Sequence, residues 1–211
     1  MNSNLNSSEN LKKKSSSMNL PNTLSIIRVL LVPVFVATLL FMRDIAIWGT
    51  IVPAVVYALT ALTDMLDGKI ARKYNLVTDF GKFIDPLADK FMVLSSMITI
   101  LVWMILNGKQ MLALVFVWVV LVILLRELGV TSLRLVVAGK SGIVVAASFL
   151  GKIKTVSQMV GTVVLIVEPI IPFFCENNIL SYSFMAIMAF TTLFSGIDYL
   201  KAYMPYIDSN K

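Results

Sequence analysis

Residues 63–90 read TDMLDGKIARKYNLVTDFGKFIDPLADK and hold five of the twelve acidic residues of a chain that otherwise avoids charge. At about 100° per residue, Asp64 and Asp67 stand some 60° apart on a helix, with Gly68 and Ala71 on the same stripe. Gly81, Asp85 and Asp89 recur every four residues and share one face of a second helix. Lys69, Arg72, Lys73 and Lys82 lie between the two pairs. The segment therefore reads as two helices joined by a basic turn that brings four carboxylates face to face.

On either side the sequence is apolar. Of 211 residues 58% are hydrophobic and 14% charged, against roughly 45–50% and about 25% in a soluble domain, and the mean hydropathy is +0.86. A helix needs about 20 apolar residues to cross the hydrocarbon. Runs of that length occur at about residues 22–42, 46–66, 82–106, 111–138, 149–172 and 181–204. The fold expected is an all-α integral membrane protein of six transmembrane helices, with no room for a separate soluble domain. Pro21 after Asn19 marks a helix start, and Asn107-Gly108 and Gly139 to Gly142 mark breaks. Residues 1–18, rich in Asn and Ser and carrying Lys12, Lys13 and Lys14, read as a disordered basic tail before a membrane catalytic domain of 19–211. No small-residue cleavage site follows them, so a removed signal peptide is not expected.

The net charge is +6. Basic residues crowd the tail, the second-to-third connection and Lys140, Lys152 and Lys154, whereas Arg43 with Asp44, Lys109, Glu168 and Glu176 occupy the other loops. The positive-inside bias then puts both termini in the cytoplasm. In so apolar a chain the excess suits anionic headgroups and substrates, not nucleic acid. A single cysteine and the absence of histidine exclude an internal disulfide, His-ligated metals, and Cys-His or Ser-His-Asp nucleophiles. Chemistry must rest on carboxylates, lysines, arginines or hydroxyls.

Four convergent carboxylates repel one another unless cations intervene, and an all-oxygen donor set selects Mg²⁺ or Mn²⁺ over Zn²⁺. Two such ions balance four negative charges and suit phosphoryl transfer at a membrane surface. The rival class is a divalent-cation transporter. Its sites favour the midplane of broken helices within repeats, whereas these aspartates flank a basic loop and no repeat is visible.

The order Asp64-x2-Asp67-Gly68-x2-Ala71-Arg72-x8-Gly81-x3-Asp85-x3-Asp89 resembles, at every position, the motif of the CDP-alcohol phosphatidyltransferase family. The resemblance implies a six-helix homodimeric enzyme of the cytoplasmic membrane, its site facing the cytoplasm. Such an enzyme moves a phosphatidyl group from CDP-diacylglycerol to an alcohol and releases CMP. It implies Asp64, Asp67, Asp85 and Asp89 as ligands of two Mg²⁺ or Mn²⁺ ions, Asp85 and Asp89 as catalytic with Asp89 the candidate base, and Asp67, Gly68, Ala71, Arg72 and Gly81 around the CDP moiety. Asn19 to Leu24 through Arg28, Arg126-Glu127, Ser132-Leu133-Arg134 and Gly151 to Thr155 are further similar to the phosphatidylglycerophosphate synthases of that family. Their acceptor is glycerol 3-phosphate, and the similarity implies Arg126, Arg134 and Lys152 as its phosphate-binding residues. The Asp motif alone leaves open relatives that use phosphatidylglycerol, serine or inositol phosphate. Read without the resemblance, Arg126 and Glu127 either pair within their apolar run or face the site, Lys152 and Lys154 are ordinary positive-inside charges, and Arg28 either snorkels or faces a polar cavity.

Overall fold

The computed structural model describes residues 20–74, 79–141, 148–171 and 177–207, with backbone alone for 20–21, 64–74, 79–80, 82–83, 140–141 and 207. The basic tail, residues 75–78 and 142–147, the segment bearing Cys175 and the last four residues lie outside the described residues. Among those described, the fold is all-α. Its helices are α1 (Leu20–Phe41), α2 (Trp48–Tyr74), α3 (Asp79–Leu106), α4 (Gln110–Ser141), α5 (Phe149–Val167), with a 3₁₀ turn at Glu168–Ile170, and α6 (Ile179–Ile207).

Over the described residues, each of the six apolar runs overlaps a helix of its own. Among the described residues, five stretches are long and apolar enough to cross a membrane: Asn22–Phe41, Ile84–Leu106, Gln110–Gly139, Phe149–Ile170 and Ile179–Tyr206. The described apolar part of α2, Trp48–Thr63, is shorter. Both α2 and α3 run past their apolar runs toward each other, to Tyr74 and from Asp79. Hydropathy marks where hydrocarbon ends, while the helical hydrogen-bond ladder continues into the polar zone.

Local chemistry sets the ends. Pro21 falls in the first turn of α1, where a missing N–H costs nothing. Gly108, at φ +72°, closes α3: Lys109 N–H donates to the Met104 carbonyl at 2.9 Å and Gly108 N–H to that of Ile105 at 3.1 Å, a left-handed cap suited to glycine. Ser148 caps α5, its hydroxyl accepting from Gly151 N–H at 3.1 Å. At the α1–α2 turn a Cβ on residue 49 would stand 2.2 Å from the Met42 carbonyl oxygen, so only glycine lets the chain close there.

Helix α1 packs on α2 and α3, α6 packs on α4 and α5, and α3–α4 and α2–α5 contacts join the two trios. Val32, Phe35 and Leu39 of α1 meet Tyr57, Met92, Met97, Ile100, Phe116, Ile123, Leu165 and Met188 in one core, with the Phe35 and Tyr57 rings 5.5 Å apart. Outward faces carry exposed Leu125, Trp118, Phe41 and Phe190, the surface expected of a protein whose solvent is lipid. At the loop end opposite the aspartates, buried Glu168 accepts from Leu180 N–H at 2.8 Å, Ser181 N–H at 3.0 Å and the Ser181 hydroxyl. A carboxylate at a helix N-terminus satisfies orphan donors and complements the dipole, tying the end of α5 to the start of α6.

Candidate active site

The buried residues of α1 are Asn22, Ser25, Arg28, Val32, Phe35 and Leu39, spaced by threes and fours as a helix needs to keep one stripe inward. The first three are polar and the last three apolar, so the stripe changes chemistry after two turns. Its polar half meets α3. Ser25 Oγ donates to Asp85 Oδ1 at 2.6 Å, and Arg28 NH1 donates to Asp89 Oδ1 at 2.6 Å. A guanidinium at this depth is costly without an anionic partner. Asp89 is that partner, which selects the inward reading of Arg28 over snorkelling. Asp89 keeps 52% of its side chain exposed against 1% for Arg28; Asp85 is partly buried, and Gly81, one turn earlier, is buried.

Asp64, Asp67, Gly68, Ala71 and Arg72 are described by backbone alone. They occupy the last three turns of α2, as Gly81, Asp85 and Asp89 occupy the first three of α3, so both aspartate pairs border the same turn. Among the described residues no three acidic or thiol side chains form a metal-sized group; two of the four expected ligands fall outside that description.

A second charged cluster joins α4, α5 and α6. Arg126 NH1 donates to Glu127 Oε1 at 3.1 Å and NH2 to Ser195 Oγ at 2.7 Å. Its guanidinium lies 5.1 Å from the Tyr199 ring centroid, within cation–π range. Buried Lys154 donates to the same Glu127 Oε1. Helix α3, which bears the first cluster, also packs on α5, which bears Lys154. A polar seam continues along α5 and α6: Gln158 donates to Thr192 Oγ1 at 3.1 Å, and the Ser157 and Thr191 hydroxyls are 2.7 Å apart. Such interhelical hydrogen bonds fix helix register inside a membrane.

Of the three cations expected for the acceptor phosphate, Arg126 faces inward, while Arg134 and Lys152 are exposed. Lys152 precedes Lys154 by two residues and so lies about 160° around the helix from it. Lys154, Glu127 and Arg28 are residues that sequence reasoning left unassigned. The signal was present: Lys154, Gln158 and Thr162 repeat every four residues through an apolar run, and Asn22, Ser25 and Arg28 every three. The residues of both clusters lie in the first halves of α1, α3 and α5 and the second halves of α4 and α6, hence in the same half of an up-and-down bundle.

Comparison with known proteins adds independent findings. A family model described as CDP-alcohol phosphatidyltransferase matches residues 18–195. A CDP-diacylglycerol–glycerol-3-phosphate 3-phosphatidyltransferase of Bacillus subtilis (strain 168) is 38% identical over 197 residues, covering 86% of this chain and 93% of its own. A protein of Mycobacterium tuberculosis (strain H37Rv) named as a probable phosphatidylglycerophosphate synthase is 35% identical over 182 residues, covering 86% and 80%. The CDP-diacylglycerol–glycerol-3-phosphate 3-phosphatidyltransferase of Escherichia coli (strain K12) is 35% identical over 191 residues, covering 87% and 94%.

Proposed function

Because the chain belongs to the CDP-alcohol phosphatidyltransferase family, we propose that it transfers a phosphatidyl group from CDP-diacylglycerol to sn-glycerol 3-phosphate. The products are phosphatidylglycerophosphate and CMP, and the enzyme is a transferase of phospholipid biosynthesis. The observation that carries the reading is one juxtaposition: the Asp85–Asp89 edge of α3 and the Arg126–Lys154 cations lie in the same half of one bundle, in a chain alike over most of its length to relatives bearing that name.

The residues present fit a divalent ion. Asp85 and Asp89 stand one turn apart, each accepting from α1 through Oδ1 and neither sealed from its surroundings. The donor chemistry is carboxylate oxygen throughout, as Mg²⁺ or Mn²⁺ requires. Asp64, Asp67, Asp85 and Asp89 would hold two ions, which when bound supply charge neutralisation at the phosphoryl oxygens.

This chain's own residues do the rest. Asp67, Gly68, Ala71, Arg72 and Gly81 surround the CDP moiety, with small residues leaving room for the diphosphate. Arg126 and Lys154 hold the acceptor phosphate by charge-assisted hydrogen bonds, and Arg134 and Lys152, on exposed faces nearby in sequence, meet it on entry. The acceptor hydroxyl forms a bond to the β-phosphorus while the bond to the bridging oxygen breaks, CMP leaves with that electron pair, and Asp89 takes the hydroxyl proton. The diglyceride part of the donor stays in the bilayer, which is why the site belongs at the end of a membrane bundle. Six spans, both termini and the active site in the cytoplasm, and a homodimer complete the proposal, supported by the basic bias of the tail and of the second-to-third turn.

The test is CMP release by the purified protein with CDP-diacylglycerol and competing acceptors. Glycerol 3-phosphate is the expected preferred acceptor, and glycerol, without a phosphate, a poor one. Better use of phosphatidylglycerol, serine or inositol phosphate overturns the acceptor assignment.

A further inference from the structure

We propose that Ser25 and Arg28 of α1 are positioning residues for the metal-binding carboxylates of α3, each fixing one aspartate through Oδ1. The inference rests on reading Asp85 and Asp89 as metal ligands, and it assigns the start of α1 to the catalytic apparatus.

The contacts are tertiary, linking residues 60 and 61 positions apart. They form two rungs in parallel register: one turn separates Ser25 from Arg28, and one turn separates Asp85 from Asp89. A single rung is a chance polar contact between packed helices; two consecutive rungs on neutral and charged donors set both the rotation and the height of α3 against α1. The apolar continuation of the stripe, Val32, Phe35 and Leu39 in the core, keeps α1 from turning.

The burial is asymmetric, and this separates support from structure. Ser25 is 0% exposed and Arg28 1%, whereas Asp89 is half exposed. Here the donors are sealed and the acceptor is open, the arrangement in which an outer partner orients a carboxylate that still faces a ligand. A carboxylate anchored at Oδ1 has its rotation restricted, so a cation meets it in fewer geometries. Arg28 also offsets the negative charge of Asp89, which lowers the repulsion between it and any further carboxylate brought to the same ion.

The experiment measures Mn²⁺ binding to the purified full-length protein in detergent without substrate, by the electron paramagnetic resonance signal of free Mn²⁺. Wild type is compared with Ser25→Ala, Ser25→Thr and Arg28→Lys, and CMP release is titrated with Mn²⁺ in parallel. Loss of an outer-shell partner weakens metal affinity by about 10- to 100-fold. That loss is expected in Ser25→Ala and Arg28→Lys, with most turnover recovered at saturating Mn²⁺ and the KM for CDP-diacylglycerol unchanged; Ser25→Thr, which keeps a hydroxyl, restores the affinity. Wild-type Mn²⁺ affinity in both Ser25→Ala and Arg28→Lys overturns the proposal, as does a defect seen only in the donor KM, which would make these residues substrate ligands. If Arg28→Lys does not fold, Ser25→Ala and Ser25→Thr decide. Absence of Mn²⁺ binding by the wild type itself overturns the metal reading beneath the proposal, a result distinct from unchanged affinity in the variants.

Discussion

Replacing Lys154 with methionine separates the two cations that sequence alone treats alike. Methionine keeps a long unbranched stem in a buried position and removes only the ammonium group. In the structure that ammonium bonds Glu127 Oε1, which also accepts from Arg126 NH1 at 3.1 Å. Glu127 therefore keeps one cationic partner in the variant, and the stability cost falls below the roughly 3–5 kcal/mol of stranding a buried charge. The effect on the acceptor is the one the assay reads. A hydrogen bond to a charged group contributes about 1.5–3 kcal/mol, which at about 1.4 kcal/mol per factor of ten lowers kcat/KM for glycerol 3-phosphate about 10- to 150-fold. Glycerol should lose nothing further, having no phosphate to hold, and the KM for CDP-diacylglycerol should stay within about threefold, a change of under 1 kcal/mol. Lys152→Met, on the exposed face of the same helix, should cost much less than Lys154→Met. The assay is CMP release with each acceptor varied at saturating donor and metal. A Lys154→Met enzyme with unchanged acceptor KM, beside a Lys152→Met enzyme that has lost it, refutes the assignment of the inner cation to the acceptor.

Three further outcomes are expected. Asp64→Asn, Asp67→Asn, Asp85→Asn or Asp89→Asn should each abolish CMP release from protein that still inserts and purifies, and chelation should silence the wild type until Mg²⁺ or Mn²⁺ is restored; full activity after complete metal stripping sinks the metal reading. Glu168→Gln should destabilise the protein by about 2–4 kcal/mol, because an anion accepting two N–H groups and a hydroxyl becomes an amide facing at least one donor with its own N–H; a thermal-denaturation midpoint in detergent equal to wild type contradicts this, and turnover at low temperature should be near normal because the residue lies at the other end of the bundle. Cys175, in the fifth-to-sixth connection, should react with a membrane-impermeant maleimide on intact cells, and labelling only after permeabilisation contradicts the termini-inside topology.

Hydropathy and spacing carried the bundle and the Asp motif because both are properties of one segment read along its own axis. A run of about 20 apolar residues has a single cheap fate in a bilayer, and Asp85 and Asp89 share a face on any α-helix whatever packs against it. The extra turns of α2 and α3 were not legible in hydropathy, since Lys69 to Lys73 end the apolar run without ending the helix. Arg28 was undecided for another reason. Whether a cation two turns inside a membrane helix snorkels or pairs depends on the helix opposite, and only the packing of α1 on α3 supplies Asp89 at 2.6 Å. Lys152 and Lys154 pose the same problem within one helix: equal charge, equal depth to within two residues, opposite faces. Their difference is legible only from the company each keeps, because Lys154 heads the every-fourth-residue series with Gln158 and Thr162, both buried against α6, while Lys152 belongs to the exposed side. A polar residue that continues a polar stripe through an apolar helix is therefore the better candidate for chemistry than an equally charged neighbour off that stripe, since a bilayer tolerates the stripe only where other helices or a bound ligand satisfy it.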